Sequence, residues 1–437
     1  MKFYNREHEI ELLQTIREQS FSTSQFTVLI GRRRVGKTAL IERAFEGNND
    51  YIYLFVSRTN EGVLCGEFMQ VVETIKGLTI IGKPTKVRDL LEKLFQNACQ
   101  RPLTIVLDEF QEFEYINPSI YSELQYLWDT YHQRAHINLV VCGSIFSMMK
   151  NIFEDSKMPL FGRMTNKIIL RPFSTDTLKA ILHDHNAHYT PEDLLCLYTV
   201  TGGIPMYVSL LMDHGATSCQ TILDEICSPS SRFLNEGPEM LIGEFGKQYT
   251  NYFGILQLIA NGHTTQKEID SIIGKTSGAY LQTLEIDYAL LQRNTPYGSK
   301  PGSRNIHWRI SDNFLSFWFR FLSPNKRLIE TGNLRTLREI ISEGYIQFSG
   351  LMLERYFRQR YSEQYRITDV AQWWDKKGEN EIDLIAINSL DKKVVIAEVK
   401  RNIKKINIEQ LKTKAAKLSP LFPNYQIETI GISLDDM

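Results

Sequence analysis

Five short runs of the chain are apolar almost throughout: residues 26–30, 51–56, 103–107, 137–142 and 167–170. Helix-like stretches separate most of them. The first such stretch begins at Asn5, placed as an N-cap, and carries Ile10, Leu13 and Ile16 on one face. Strands that are apolar on both faces and alternate with helices predict a parallel sheet covered on two sides. The pattern then changes. Residues 175–235 read as mostly helical, with an interruption at Thr201-Gly202-Gly203-Ile204-Pro205. Three short helices follow from Tyr252, the second opened by the capping box Thr265-Gln266-Lys267-Glu268. Two strand-like segments, 290–293 and 306–310, then frame a polar, glycine-rich turn over 296–304. Residues 313–321 are densely aromatic and read as a core-forming connector or, less simply, a platform for stacked bases. Pro324-Asn325-Lys326 begins a polar linker, and two last strands, 380–387 and 394–400, flank a turn.

The first apolar run leads into Gly31-Arg32-Arg33-Arg34-Val35-Gly36-Lys37-Thr38, which reads G-x-x-x-x-G-K-T, and an amphipathic segment begins at Ala39. Strand, glycine-rich loop and helix are the context of a phosphate-binding loop. Backbone N–H groups of Gly31, Arg34, Val35, Gly36 and Ala39 would turn toward phosphate oxygens, helped by the helix N-terminus. Lys37 would reach the β- and γ-phosphates of ATP, and the Thr38 hydroxyl would hold Mg²⁺. The third run ends in Leu107-Asp108-Glu109. Asp108 would hold Mg²⁺ through water, and Glu109 would polarise the attacking water. Ser144, at the tip of the fourth run, either senses the γ-phosphate or is an ordinary turn serine. Arg163, in Pro159-Leu160-Phe161-Gly162-Arg163, is either a surface charge or a transition-state cation, acting in cis or on a neighbouring subunit of a homo-oligomer.

Composition narrows this picture only at the edges. At 43% hydrophobic and 23% charged residues the 437-residue chain is ordinary for a globular protein. The formal net charge is −1, so any nucleic-acid surface must be a local patch. No run approaches the ~18 apolar residues of a membrane span, and residues 1–7 lack the apolar core of a signal peptide. The six cysteines show no C-x-x-C spacing and read as buried thiols of a reducing, cytoplasmic protein.

A second chemical constellation lies near the end. With Ile387 opposite Val394, a hairpin register places Asp383 opposite Glu398 and Glu381 opposite Lys400. Period two sets Asp383, Glu398 and Lys400 on one face and Ile382, Leu384, Ala386, Val395, Ala397 and Val399 on the other. Opposed carboxylates destabilise a sheet, and a divalent cation between them removes the conflict. Such a cation can activate water against a phosphodiester, with Lys400 orienting it. The plainer alternative is a surface ion pair between Glu381 and Lys400. Residues 392–417 hold nine Lys/Arg against two Asp/Glu, the strongest basic stretch of a neutral chain. Lys300 and Arg304 sit in the 296–304 turn, suited to phosphate contacts if the three helices and hairpin form a winged helix; packing alone is the other use of such a module.

Together these motifs resemble the archaeal-type ATPase family, a branch of the AAA+/STAND-like P-loop ATPases. The resemblance is carried by Phe3 with Asn5-Arg6-Glu7, Gly31 to Thr38, Leu107-Asp108-Glu109, Pro159-Leu160-Phe161-Gly162-Arg163 and Gly202-Gly203-Ile204-Pro205. It implies that Arg6 lies near the nucleotide base and that the turn ending in Pro205 faces the phosphates from a helical lid. The lid lacks a clear sensor arginine. Asp383 with Glu398-Val399-Lys400 resembles the PD-(D/E)xK nuclease fold, which implies Glu354 as a helix acid, a backbone carbonyl from Val399 and, more weakly, Gln410.

The expected fold is α/β: a P-loop NTPase parallel sheet over 1–172, a helical lid over 173–240, a winged helix over 241–312, a connector over 313–344 and a small α/β nuclease-like domain over 345–437. The expected function is a Mg²⁺-dependent ATPase, DNA-associated, with a metal-dependent nuclease domain. The alternative is a non-cleaving, nucleotide-dependent switch whose last two domains bind DNA or protein partners.

Overall fold

Each apolar run forms a strand where the pattern places it: β1 (Gln25–Ile30), β2 (Tyr51–Phe55), β3 (Leu103–Asp108), β4 (Ile137–Gly143) and β5 (Asn166–Ile169). The computed structural model describes residues 1–437 except 79, 246–248, 301 and 377, and only the backbone of 242–244. It divides into two compact units, 5–171 and 1–4 with 172–437. In the first unit the strands pair in parallel in the order β2-β3-β4-β1-β5. β3 and β4 are buried along their whole length. Alternate residues of β1 feed two separate cores. Phe26, Val28 and Ile30 join one, and Leu29 joins Leu13, Leu40 and Ile41 in the other. Parallel pairing brings every strand's C-terminal end to one edge, where β1 lies between β4 and β5. Such a switch in strand order is where open α/β sheets bind ligands. The first helix spans Glu7–Gln19, with Arg6 rather than Asn5 in the capping position. The Asn5 side chain instead accepts from the Arg6 N–H at 2.8 Å.

In the second unit one hydrophobic cluster runs from Phe173 to Ile432. Helices from Thr175–His185 to Phe233–Phe245 come first. Three helices follow, Tyr249–Ala260, Gln266–Ile273 and Gly278–Ile286, with the capping box formed at Thr265 and Glu268. The antiparallel pair β6 (Leu291–Asn294) and β7 (His307–Ile310) comes next. The turn between them, in which Pro301 lies outside the described residues, is not free. The Tyr297 N–H donates to Gln372 O at 2.8 Å, and its ring stacks on Phe422 at 5.1 Å and 7°. The aromatic segment 313–321 is core: Phe314, Leu315, Phe317, Phe319 and Phe321 are buried.

Where a polar linker is expected from Pro324, the chain forms the helix Lys326–Glu330 and then one continuous helix, Leu334–Ser362. The expected boundary at 344/345 falls inside it. Leu334, Leu337, Ile341, Tyr345, Phe348, Met352 and Tyr356 recur at spacings of three and four and are all buried, so one apolar stripe carries the helix through. It packs on a four-stranded sheet ordered β11-β10-β9-β8, made of β8 (Asp369–Trp374), β9 (Glu381–Asn388), β10 (Lys393–Lys400) and β11 (Gln426–Ser433). β8 to β10 are antiparallel, and β11 returns parallel to β10 after the helix Ile408–Leu418. Val394 lies opposite Ile387, the register the hairpin predicts. β9 bulges: Ile385 and Ile382 oppose Ala371 and Trp373, one residue more on β9 than on β8. The bulge moves Ile382 away from the face expected for it. It joins Ile385, Ile387 and Leu411, while Leu384, Ala386, Ala397 and Val399 face the cluster of the long helix.

Candidate functional site

The loop after β1 turns at Gly36, whose φ of 89° suits glycine, and the helix Lys37–Ala44 begins there. A Cβ on Gly36 would meet nothing within 4 Å, so this side of the loop is open. Gly31 is the opposite case: its Cβ would lie 2.8 Å from Val35 Cγ1 and 3.0 Å from Leu170 O, and buried Val35 anchors the loop on the core. The Lys37 ammonium curls into the loop and donates to Gly31 O at 2.8 Å and Arg32 O at 3.3 Å. Burial pushes its pKa down, and Glu109 and Asp108 pull it back up only in part. A buried ammonium over a ring of backbone groups gains from an anion above it, which is what a triphosphate supplies.

The adjacent strand ends complete the site. Thr38 Oγ1 donates to Asp108 Oδ2 at 3.1 Å, so the two groups expected around a magnesium ion already meet. Tyr53, on β2, donates to the same oxygen, and Asp108 Oδ1 accepts the Glu109 N–H at 2.9 Å. Glu109 sits at φ 54°, a left-handed conformation that costs a non-glycine residue about 1 kcal/mol or more. Two donors hold its Oε2 there: Ser144 Oγ at 2.7 Å and Gln111 Nε2 at 2.6 Å. A magnesium ion fits this donor set. Thr38 would bind it directly and Asp108 through water, and the ion would neutralise phosphate charge as the terminal bond breaks.

The second constellation centres on Asp383 in the β9 bulge. Its Oδ2 accepts the Val399 N–H at 2.8 Å and Lys400 Nζ at 3.0 Å. Lys400 also lies 3.9 Å from Glu398 Oε1, and its pairing is with these two carboxylates rather than with Glu381, which lies opposite Trp374. Burial pushes Lys400 down, but Asp383, Glu354 and Glu398 outweigh it and raise the ammonium's pKa. Glu398 Oε2 is buried without a hydrogen-bond partner. Glu354, on the long helix, pairs with Arg358 at 3.5 Å; burial first and Asp383 second push its carboxyl up to about 7. These groups crowd negative charge together, yet among the described residues no three His, Cys, Asp or Glu side chains take up a metal-holding arrangement. Gln410 is exposed, its N–H bonded to Asn407 Oδ1 at 3.0 Å.

Residues 3–211 match the family described as an ATPase domain predominantly from Archaea. Residues 318–412 match a family described as archaeal and bacterial proteins of unknown function. An uncharacterized protein of Methanocaldococcus jannaschii is 29% identical over 420 residues, covering 92% of this chain and 90% of its own. The Walker-type ATPase PABY2304 of Pyrococcus abyssi has the same fold with a TM-score of 0.55 at 18% identity, over 73% of this chain and 96% of that one. The ORC2 protein of Aeropyrum pernix, solved in ADPNP and ADP complexes, gives 0.51 at 16% identity, over 76% and 95%.

Within the ATPase domain the structure gathers Gly31, Val35, Gly36, Lys37, Thr38, Asp108, Glu109 and Ser144. Tyr53 and Gln111 were not anticipated. Tyr53 is legible only once β2 is known to lie beside β3, and Gln111 only from its place two residues after Glu109. Ala39 is exposed on the first turn of the loop helix, and Arg34 has φ 71° within the loop. Arg6 is buried, donating to Glu9 at 3.1 Å and to Arg171 O. Pro205 opens the helix Pro205–Asp213 in the other unit, behind Gly203, whose Cβ would stand 2.6 Å from Phe173 O. Arg163 is a correction. It precedes β5, whose Asn166 lies beside Thr27, so it sits at the N-terminal edge of the sheet, about 20 Å from the loop after the six-residue β1. Its guanidinium is tied to Asp129 at 2.9 Å and to Pro159 O at 2.8 Å. The loop that enters a parallel strand lies at the end opposite the phosphate loop, so Arg163 has no role in cis.

No helix among the described residues is long and apolar enough to cross a membrane, and all six cysteines are free thiols.

Proposed function

We propose that the chain is a Mg²⁺-dependent ATPase whose nucleotide state governs how its second unit handles DNA. The hydrogen bond from Ser144 to Glu109, beside a Thr38–Asp108 pair, carries the hydrolytic part of this reading. Lys37 grips the terminal phosphates. Glu109, fixed by Ser144 and Gln111, orients a water and draws its proton. Arg163 acts only by reaching a neighbouring copy, for which its place at the far edge of the sheet is suited.

For the second unit we propose a winged-helix module beside a PD-(D/E)xK-like domain. Support comes from the order of its elements, a long helix, three antiparallel strands, a helix and a parallel strand, with Asp383, Glu398 and Lys400 at the middle strands. The partnerless Glu398 Oε2 fits a divalent cation shared with Asp383, with Glu354 behind it. Lys400 would then orient the attacking water. A second reading, a non-cleaving nucleotide switch, draws support from the same cluster: Lys400 already neutralises Asp383, and among the described residues no three acidic side chains take up a metal-holding arrangement.

Incubation with plasmid and oligonucleotide DNA, with Mg²⁺ or Mn²⁺ and with or without ATP, separates the two. Cleavage that disappears in Lys400→Ala but persists in Lys37→Ala supports the nuclease. Intact ATP turnover without cleavage under any condition supports the switch.

A further inference from the structure

The second unit also concentrates positive charge beside the Asp383 constellation. A cavity of about 500 Å³ opens between the β6–β7 hairpin, the long helix and β8. Arg293 and Arg309 line it from the hairpin, Arg355 and Arg358 from the helix, and none of the described residues lining it is acidic. Three of the four are held by protein groups. Arg293 bonds Glu285 at 2.9 Å, Arg355 donates to Ile310 O at 2.9 Å, and Arg358 donates to Asp383 O at 2.9 Å. Arg309 differs. Arg309 is half-buried, and no described residue makes a hydrogen bond or an ion pair with its guanidinium. Burial, then Arg358, pushes its pKa down to about 10, so it stays charged at neutral pH.

A half-buried guanidinium without a protein partner is open to an anion, and clustered arginines suit the planar, bidentate recognition of phosphate. Arg309, Arg355 and Arg358 also border a second cavity, of about 320 Å³, on whose wall stand His307, Trp308 and Trp374 together with Glu354 and Glu381. A cavity able to hold a phosphate on one side of the arginines, and a recess edged by His307, Trp308 and Trp374 on the other, suit the two ends of a nucleotide.

We propose that this cleft binds the phosphate of a nucleotide unit, either a free mononucleotide or the phosphorylated end of a nucleic-acid strand. The site is separate from the ATP loop and needs no cleavage chemistry. The test uses the full chain carrying Lys37→Ala, which silences the first nucleotide site, in EDTA. Fluorescence anisotropy compares a short oligonucleotide with a 5′-phosphate against the same strand with a 5′-hydroxyl, and a nucleoside monophosphate serves as competitor. The phosphorylated strand should bind about tenfold tighter. Arg309→Gln should remove that preference, and Arg309→Lys should restore part of it. Arg293→Gln, at an exposed position, should weaken binding about threefold. Arg309-dependent binding of the monophosphate without preference between strands assigns the site to a free nucleotide. Equal binding of both strands with no monophosphate binding, or affinities unchanged in the folded Arg309 and Arg293 variants, overturns the proposal. ATP turnover and DNA cleavage, which test the ATPase and nuclease reading, do not enter this assay.

Discussion

The Ser144 hydroxyl donates to Glu109 Oε2 at 2.7 Å, joining the tip of β4 to the residue that follows β3. Together with the bond from Gln111, it fixes a carboxylate that rises from a left-handed backbone. Ser144→Ala should therefore slow ATP hydrolysis about tenfold while leaving ATP affinity within about twofold. Steady-state turnover and nucleotide titration check the two quantities. A fall in affinity equal to the fall in turnover would make Ser144 a binding residue instead.

Arg163 and Asp129 form a pair at the edge of the sheet remote from the phosphate loop. In dilute protein, where each copy acts alone, Arg163→Ala should leave turnover unchanged. If wild-type turnover rises with protein concentration, that rise should vanish in the variant, a loss of about 10³-fold or more for a transition-state arginine. A decrease at every concentration would return Arg163 to a role in cis.

Glu354 gives the second unit a pH signature. Its folded carboxyl keeps its proton up to about 7, whereas an unperturbed glutamate releases it near 4.5. In that window the folded state binds more protons than the unfolded one, so stability falls as pH rises, by up to about 1.4 kcal/mol per unit. Glu354→Gln should flatten this slope: relative to wild type it should gain stability between pH 5 and 7. Urea denaturation in EDTA across that range measures it. Parallel curves for the two proteins would show that Glu354 does not titrate there.

Much of this was legible in the sequence because it is local. The loop at Gly31 to Thr38, the acidic end of β3 and the Ile387–Val394 register each follow from adjacent residues and a fixed period. What was not legible depends on distant pairing. The Tyr53–Asp108 bond needs β2 beside β3, and the true place of Arg163 needs the direction of every strand. The bulge in β9, which moves Ile382 across the sheet, has no glycine or turn residue to mark it in Ile382-Asp383-Leu384-Ile385. The long helix Leu334–Ser362 was missed because Gly332, Gly344 and Gly350 mask a stripe that only continues once the sheet packs beneath it.

The turn between β6 and β7 is held by Tyr297 on Phe422 and by its N–H on Gln372. Tyr297→Ala should cost roughly 2 kcal/mol, the aromatic pair plus lost packing. Chemical denaturation followed by tryptophan fluorescence reads the shift. No change in midpoint would mean that the stack contributes nothing to holding the hairpin against the sheet.

Binding and hydrolysis of Mg²⁺-ATP by the wild type, Lys37→Ala and Glu109→Gln, measured side by side, test the central claim most directly. The wild type should bind and hydrolyse, Glu109→Gln should bind as tightly and lose at least about a hundredfold in turnover, and Lys37→Ala should do neither. Undiminished turnover in Glu109→Gln, or undiminished binding in Lys37→Ala, would contradict it.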